Sequence, residues 1–403
     1  LPQDHEKLRT LLIGATVRCR ILRTSTAQPA NGSSRPFGLA SRFVEGTIAG
    51  VSDLSSKGVY HVQVNGSERP IPVDRSHVWP SWMPCICGNS VYDTTHFGPG
   101  ISQVGVITIL GTAAAFVSTN SFEINVRPET LSDAVVRPER DAVIVCRTAG
   151  WVDICQNTIR AAAGRNVNSA NSEIVGVRVE ATGKHGYTNV EQNRISCCSV
   201  GLELCSATGG TLVHHNLLKA NGTAISTTGE SEGTSPLLAM NLIEDNDTGV
   251  ALGDTSVVPT FVVHNLIRRV SPTAQCQYGF LCKARNTTVH QNVCEQLTVG
   301  VLLRGFQTTN LVLTHNVVSG CQNHGVVVDQ QCGALYGSVA LVEGNTITKT
   351  KTSAGVLVGN SAHPLIQRNT ICQNAAGGIM VLADAPSTIR ANYVYNNEDY
   401  GVF

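Results

Sequence analysis

An Asn recurs along this chain at a fixed phase of an apolar pattern, and few folds permit that. It stands at Asn157, Asn193, Asn216, Asn241, Asn265, Asn292, Asn316, Asn345, Asn369 and Asn392. Three residues earlier come Ile154, Val190, Val213, Leu238, Val262, Val289, Leu313, Val342, Ile366 and Ile389. Two residues later come Ile159, Ile195, Leu218, Ile243, Ile267, Cys294, Val318, Ile347, Ile371 and Val394. From Asn193 onward the spacing runs from 23 residues (Asn193 to Asn216) to 29 (Asn316 to Asn345). Self-similarity at such a period marks a solenoid, whose repeats stack to bury a continuous core.

Within each repeat the apolar residues alternate, which is the period of a strand. A Gly then opens a second alternation: Gly249 before Val250 and Leu252, Gly300 before Val301 and Leu303, Gly325 before Val326 and Val328, Gly355 before Val356 and Val358. These glycines are expected at turns that need unusual backbone angles. Coils stacked about 4.8 Å apart place like residues above one another. The Asn amides then hydrogen-bond along the axis as a ladder and satisfy polar groups turned into a bend. The recurring Asn therefore reads as structural.

The pattern apolar-x-x-Asn-x-Ile, followed by Gly-apolar-x-apolar, resembles the right-handed parallel β-helix of the pectate-lyase type. It is most similar to the repeats shared by carbohydrate-binding proteins and sugar hydrolases. Such repeats also occur in F-box substrate receptors of ubiquitin ligases and in cytoskeleton-associated proteins. The resemblance is clear over residues 143–403 and weaker over 90–142. It implies an all-β chain with about ten ladder coils in 143–403 and irregular first coils in 83–142.

Residues 1–82 lack the ladder. The segments TVRCRIL, SRFVEGTIAGV, GVYHVQVNG and RPIPVDRSHVWP read as short strands separated by turn-forming stretches. They resemble a small SH3-like β-barrel of the Tudor or chromo kind. Such barrels bind peptides, so Phe43, Tyr60 and Trp79 are the candidate peptide-site aromatics, the alternative being that they fill the barrel core.

Composition narrows the functions. Net charge is zero and 14% of residues are charged, without the basic stripe of a nucleic-acid binder. No apolar run is long enough to cross a membrane as a helix. Cys155, Cys294, Cys321 and Cys372 occupy or flank apolar columns and read as small core hydrophobes in a reducing, intracellular setting, cytoplasmic or cytoskeletal, with a flagellar role allowed.

Chemistry is harder to place. β-Helix hydrolases need carboxylates spaced across one cleft, and lyases need an acid cluster for Ca²⁺ with a base. Acids are sparse here. Asp245, Asp247 and Asp254 are the available candidates, and Glu343 and Asp329 stand alone. The polygalacturonase-like acid set is absent, and Asn323–Gly325 is a partial echo of it. GWVDIC at 150–155 echoes a pectate-lyase stretch, with Ile154 where that family has His. His214, His215, His264, His290 and His315 form a strip beside the ladder. His215, His264 and His315 fall on alternate coils, about 10 Å apart, too far to share one metal. No catalytic residue, cofactor or metal is assigned, and the His strip is read as a partner-binding face.

The expectation from sequence is a non-catalytic protein-interaction scaffold in a cytoskeletal, flagellar or ubiquitin-ligase assembly. Two alternatives stay open. One is a carbohydrate-binding or carbohydrate-active β-helix, which requires outward aromatics or acids along one groove. The other is a peptide or modified-tail reader acting through the barrel. Protein partners are expected, one stacked on an open last coil at residues 388–403, where no capping element follows; the chain reads as part of a longer solenoid. Nucleic acid, membrane and carbohydrate are not expected as partners.

Overall fold

The structure is a computed structural model. It describes strands at 16–22, 41–52, 59–64, 71–74 and 78–80, and residues 85–403 apart from 93–105, 112–113, 127–140, 149, 164–173, 181–186, 206–209, 229–235, 254–258, 284–285, 305–309, 330–331, 334–339, 360 and 383–384. The chain divides into two units, Leu1–Cys85 and Ile86–Phe403.

In the first unit Thr16–Leu22, Ser41–Ser52, Val59–Val64 and Ile71–Asp74 run as an antiparallel meander, and Val78–Pro80 returns to pair with Thr16–Leu22. A register shift between Ile48 and Gly50 bends the long second strand. The last of the segments expected from sequence is thus two strands. Phe43, Tyr60 and Trp79 lie on this sheet, but their side chains, and with them the expected barrel site, fall outside the described residues.

The second unit is a parallel β-solenoid of three sheets, with twelve described strands in each. Sheet 1 holds the strands that lead into the ladder Asn, such as Trp151–Cys155, Tyr187–Glu191 and Gly210–His214. Sheet 2 holds the short strands after it, such as Leu217–Lys219. Sheet 3 holds the strands that follow, such as Val299–Arg304. Pairing is in register: Val190 meets Val213, and Ile195 meets Leu218. The columns predicted to face inward do so. Val190, Val213, Leu238, Val262, Val289, Leu313, Val342 and Ile366 are all fully buried. Each such side chain contributes about 1.5–3 kcal/mol of apolar burial, which is what holds one coil to the next.

The Asn ladder is continuous and longer than the sequence columns indicated. From Asn89 through Asn120 and Asn157 to Asn392, each Nδ2 donates to the Oδ1 of the next Asn at 2.9–3.0 Å. Backbone N–H groups join it: Asn193 N donates to Asn216 Oδ1 at 3.0 Å. The Asn216 amide also donates to Val190 O at 2.9 Å. Amide groups that the turn removes from the strand ladder are thereby paired inside the core.

The glycines at the start of sheet 3 are needed for a different reason from the one expected. None of Gly249, Gly300, Gly325 and Gly355 has a positive φ. A Cβ on Gly300 would stand 2.3 Å from Val318 Cγ1 and 2.6 Å from Gly325 O. Close approach between coils, not backbone conformation, excludes a side chain there.

Candidate functional site

The outer face of sheet 1 carries the chemistry. In Trp151–Cys155, buried Val152 and Ile154 alternate with Trp151 and Asp153, which face outward. In Tyr187–Glu191, buried Thr188 and Val190 alternate with Tyr187, Asn189 and Glu191. Register then sets the neighbours: Trp151 beside Tyr187, Asp153 beside Asn189, and Glu191 beside His214.

The aromatic pair is open to solvent at one end. The Trp151 and Tyr187 rings lie 5.1 Å apart at 57°, and Trp151 is 41% exposed. Trp151 Nε1 donates to Asp153 Oδ2 at 3.0 Å, which tethers the indole along the outer face of the strand. The pair offers a rigid apolar surface with acids and amides beside it, which can combine ring stacking with hydrogen bonding to polar groups.

Two columns on, Glu191, His214 and His215 converge. Their ligand atoms lie within 4.8 Å of one another. His214 Nδ1 and His215 Nδ1 are 2.7 Å apart, and His214 Nε2 lies 2.9 Å from Asn189 Oδ1 and 3.8 Å from Glu191 Oε2. Burial lowers the His214 pKa below the ordinary histidine value; the Glu191 carboxylate opposes this and His215 reinforces it. His214 is therefore held toward its neutral form.

The turn explains why adjacent His residues face each other. The residue before each ladder Asn sits in the left-handed region: Gln156, Gln192, His215, Met240, His264, Gln291 and His315 have φ of 52–56°. That backbone swings the side chain back along the outer face instead of into the alternation of the strand. The Gln156 amide donates to Gln192 Oε1 at 3.0 Å along the same row.

The remaining His residues of the strip form a second group. Ring centroids are 6.5 Å apart for His264 and His290, and 5.4 Å for His290 and His315. His290 Nδ1 lies 2.9 Å from Thr314 Oγ1, and His315 lies against Gly344 of the next coil. Met240, 51% exposed, stands on the coil between the two groups, and Phe261, 40% exposed, on the coil of His264.

The acids singled out from sequence are elsewhere. Asp245 Oδ1 accepts Val270 N and Ser271 N at 2.7 and 2.8 Å, so it holds the following turn. Burial raises the Asp247 carboxyl above the ordinary value. Asp254 lies outside the described residues. Glu343 accepts Arg368 Nη1 at 2.8 Å. His324 of the Asn-His-Gly echo lies 3.4 Å, through Nδ1, from Ala354 O, away from any acid pair. Tyr187, Asn189 and Glu191 were not selected from sequence, although buried Thr188 and Val190 on the alternate positions mark them as outward-facing.

Residues 299–403 match the family model described as a right handed beta helix region. The solenoid is a right-handed parallel β-helix, as the sequence resemblance implied. No curated protein sequence matches the chain. Among solved structures, the mannuronan C-5 epimerase A-module from Azotobacter vinelandii aligns at 12% identity and TM-score 0.32, over 72% of this chain and 90% of that one. DFA-IIIase from Arthrobacter chlorophenolicus A6, in complex with GF2, aligns at 10% identity and TM-score 0.33, over 78% of this chain and 74% of that one. These comparisons correct one expectation. Both neighbours are carbohydrate-active enzymes, so the exclusion of catalysis drawn from sparse acids is withdrawn. The comparisons give no support to a scaffold, cytoskeletal or flagellar role.

Proposed function

We propose that this chain is a carbohydrate-active β-helix protein that binds a saccharide chain along the outer face of sheet 1. The carrying observation is the pair of exposed Trp151 and half-buried Tyr187 with Asp153, Asn189 and Glu191 in adjoining columns. The carbohydrate reading of the sequence asked for a row of outward aromatics or acids along one groove; in support, this face carries one outward aromatic pair with acids beside it. Rigid rows spaced about 4.8 Å along the axis suit an extended ligand of repeating rings, because each coil offers the next ring a new set of contacts. The aromatic bodies supply apolar contact at low entropic cost, and the acids and amides select hydroxyl positions.

The test is a glycan array probed with the full 403-residue chain, followed by chromatography of each bound oligosaccharide after incubation. Binding of one oligosaccharide series, with a changed product, is the expected result. An array without signal above background contradicts the proposal.

A further inference from the structure

We propose that Glu191, His214 and His215 form a binding site for a divalent transition-metal ion of the zinc type. Three features of the structure point there. First, the ligand atoms of the three residues already lie within 4.8 Å of one another. Second, the two imidazoles present Nδ1 to Nδ1 at 2.7 Å. Two neutral imidazoles meet this way only by sharing one proton, and a metal takes the place of that proton. Zn–N bonds of about 2.0–2.1 Å need the two nitrogens about 3.3 Å apart in a tetrahedral site, so the rings separate by about 0.6 Å.

Third, the surrounding hydrogen bonds prepare the ligands. Asn189 Nδ2 faces Glu191 Oε2 at 3.5 Å, which directs Asn189 Oδ1 to His214 Nε2 at 2.9 Å. The amide oxygen accepts, so His214 carries its proton on Nε2 and bares the Nδ1 lone pair. Outer-sphere acceptors fix metal-binding histidines in this way. The proton on His215 Nδ1 moves to its Nε2 when the ion binds, so the imidazole pair stays neutral. Gln192 Nε2 donates to Glu191 Oε1 at 3.0 Å and steadies the carboxylate.

A donor set of two imidazoles and one carboxylate suits zinc and its first-row neighbours, and not Ca²⁺, which takes oxygen ligands. Three protein ligands leave a coordination position for water or ligand. Sequence reasoning assigned no metal because His residues on alternate coils stand too far apart and the adjacent-coil pair His264 and His290 supplies only two ligands. The site instead joins two adjacent residues with an acid one coil away. The inference does not rest on saccharide binding, and its test contains no saccharide.

The experiment is isothermal titration of the chelator-treated full chain with ZnCl₂, repeated with CaCl₂. His214→Ala, His215→Asn, Glu191→Gln and His315→Ala are compared with the unmodified chain. Asn tolerates the left-handed backbone at 215, so that variant removes the ligand and keeps the turn. Equal melting temperatures without metal establish that each variant is folded. The expected result is one Zn²⁺ per chain, insensitive to Ca²⁺, with affinity reduced at least about tenfold in His214→Ala, His215→Asn and Glu191→Gln and unchanged in His315→Ala. Co²⁺ bound at the same site gives visible absorption that His215→Asn removes. No Zn²⁺ binding, or binding that survives in a combined His214→Ala/His215→Asn chain, overturns the proposal.

Discussion

Asn216 and His215 are neighbours in the chain and opposites in constraint. On the inner side of the first turn, the ladder position is Asn in every described coil from Asn89 to Asn392. On the outer side, the residue before it is Gln, His, Met, Thr, Gly, Arg or Ala in an almost constant left-handed backbone. That backbone costs a non-Gly residue roughly 1–2 kcal/mol, and the ladder bonds offset it in each coil. Once the ladder fixes the turn, the outer side chain no longer decides folding and is left to the chemistry of the surface. Inner residues should therefore control stability and outer residues binding.

The strongest challenge to this division is Asn216→Leu set against His215→Asn. Leu at 216 leaves the backbone N of Asn193 without its acceptor and Val190 O without the amide that donates to it, while Asn193 Nδ2 keeps Ile154 O and Glu191 O. Each buried unsatisfied group costs about 1–3 kcal/mol. His215→Asn should stay within about 0.5 kcal/mol of the unmodified chain. Chemical denaturation of both variants measures the gap, and equal stabilities would dissolve the distinction.

A smaller contrast separates two glycines. A Cβ on Gly325 would meet Ile347 Cγ2 at 2.4 Å and Gly355 O at 2.8 Å, so Gly325→Ala pushes coils apart at a cost of about 1–3 kcal/mol. Gly344 is on the outer side, with φ +66°, and its Cβ would meet the His315 ring at 3.1 Å. That ring can move, so Gly344→Ala pays mainly for the backbone, about 1 kcal/mol. Melting temperatures should rank Gly325→Ala below Gly344→Ala; the reverse order would place the crowding on the wrong side of the turn.

How much of this was legible follows from which interactions are local. The ladder was readable because Asn and its flanking apolar residues share one short segment. Asn89 and Asn120 fit the same pattern, with Ile86 and Val91 around one and Val117 and Phe122 around the other. They escaped the sequence columns. They stand 31 and 37 residues from the next ladder Asn, outside the 23–29 range of the later coils, as is the 36-residue step from Asn157 to Asn193. A second, shorter ladder at the turn after sheet 2, Asn221 to Asn246 and Asn374 to Asn397, also escaped. Cys198, Leu297 and Cys321 occupy its phase in other coils, so no column stands out. The outward positions of Trp151 and Glu191 were readable by alternation. His214 and His215 were legible as members of one strip, but the contact of their rings was not, because it depends on the left-handed backbone at His215.

Proton binding gives a finer probe of the outer side. Burial lowers the pKa of both His214 and His324 below 6.5 in the folded chain. The unfolded chain then binds more protons as pH falls through the ordinary histidine range. Stability should be level above about pH 7 and decline below about 6.5, until the folded-state values are passed. Replacing both residues with Gln should flatten the melting-temperature profile between pH 7.5 and 5 by a degree or so, on the order expected for partly buried groups. An unaltered slope would assign the acid sensitivity to other groups.

The smallest effect is chemical. Burial pushes the Cys198 thiol up to about 12 and the Cys276 thiol up to about 11. Neither should react with a maleimide at neutral pH while the coils are closed. Mass spectrometry that found either labelled in the native chain would show that the solenoid opens at those coils.

The central claim is that the outer face of sheet 1 at Trp151 and Tyr187 holds a saccharide. The direct measurement is isothermal titration with the oligosaccharide selected on the array, comparing the unmodified chain with Trp151→Ala and His315→Ala. The account predicts that Trp151→Ala weakens binding at least about tenfold at an unchanged melting temperature, and that His315→Ala binds as the unmodified chain does. Full affinity in Trp151→Ala would contradict it.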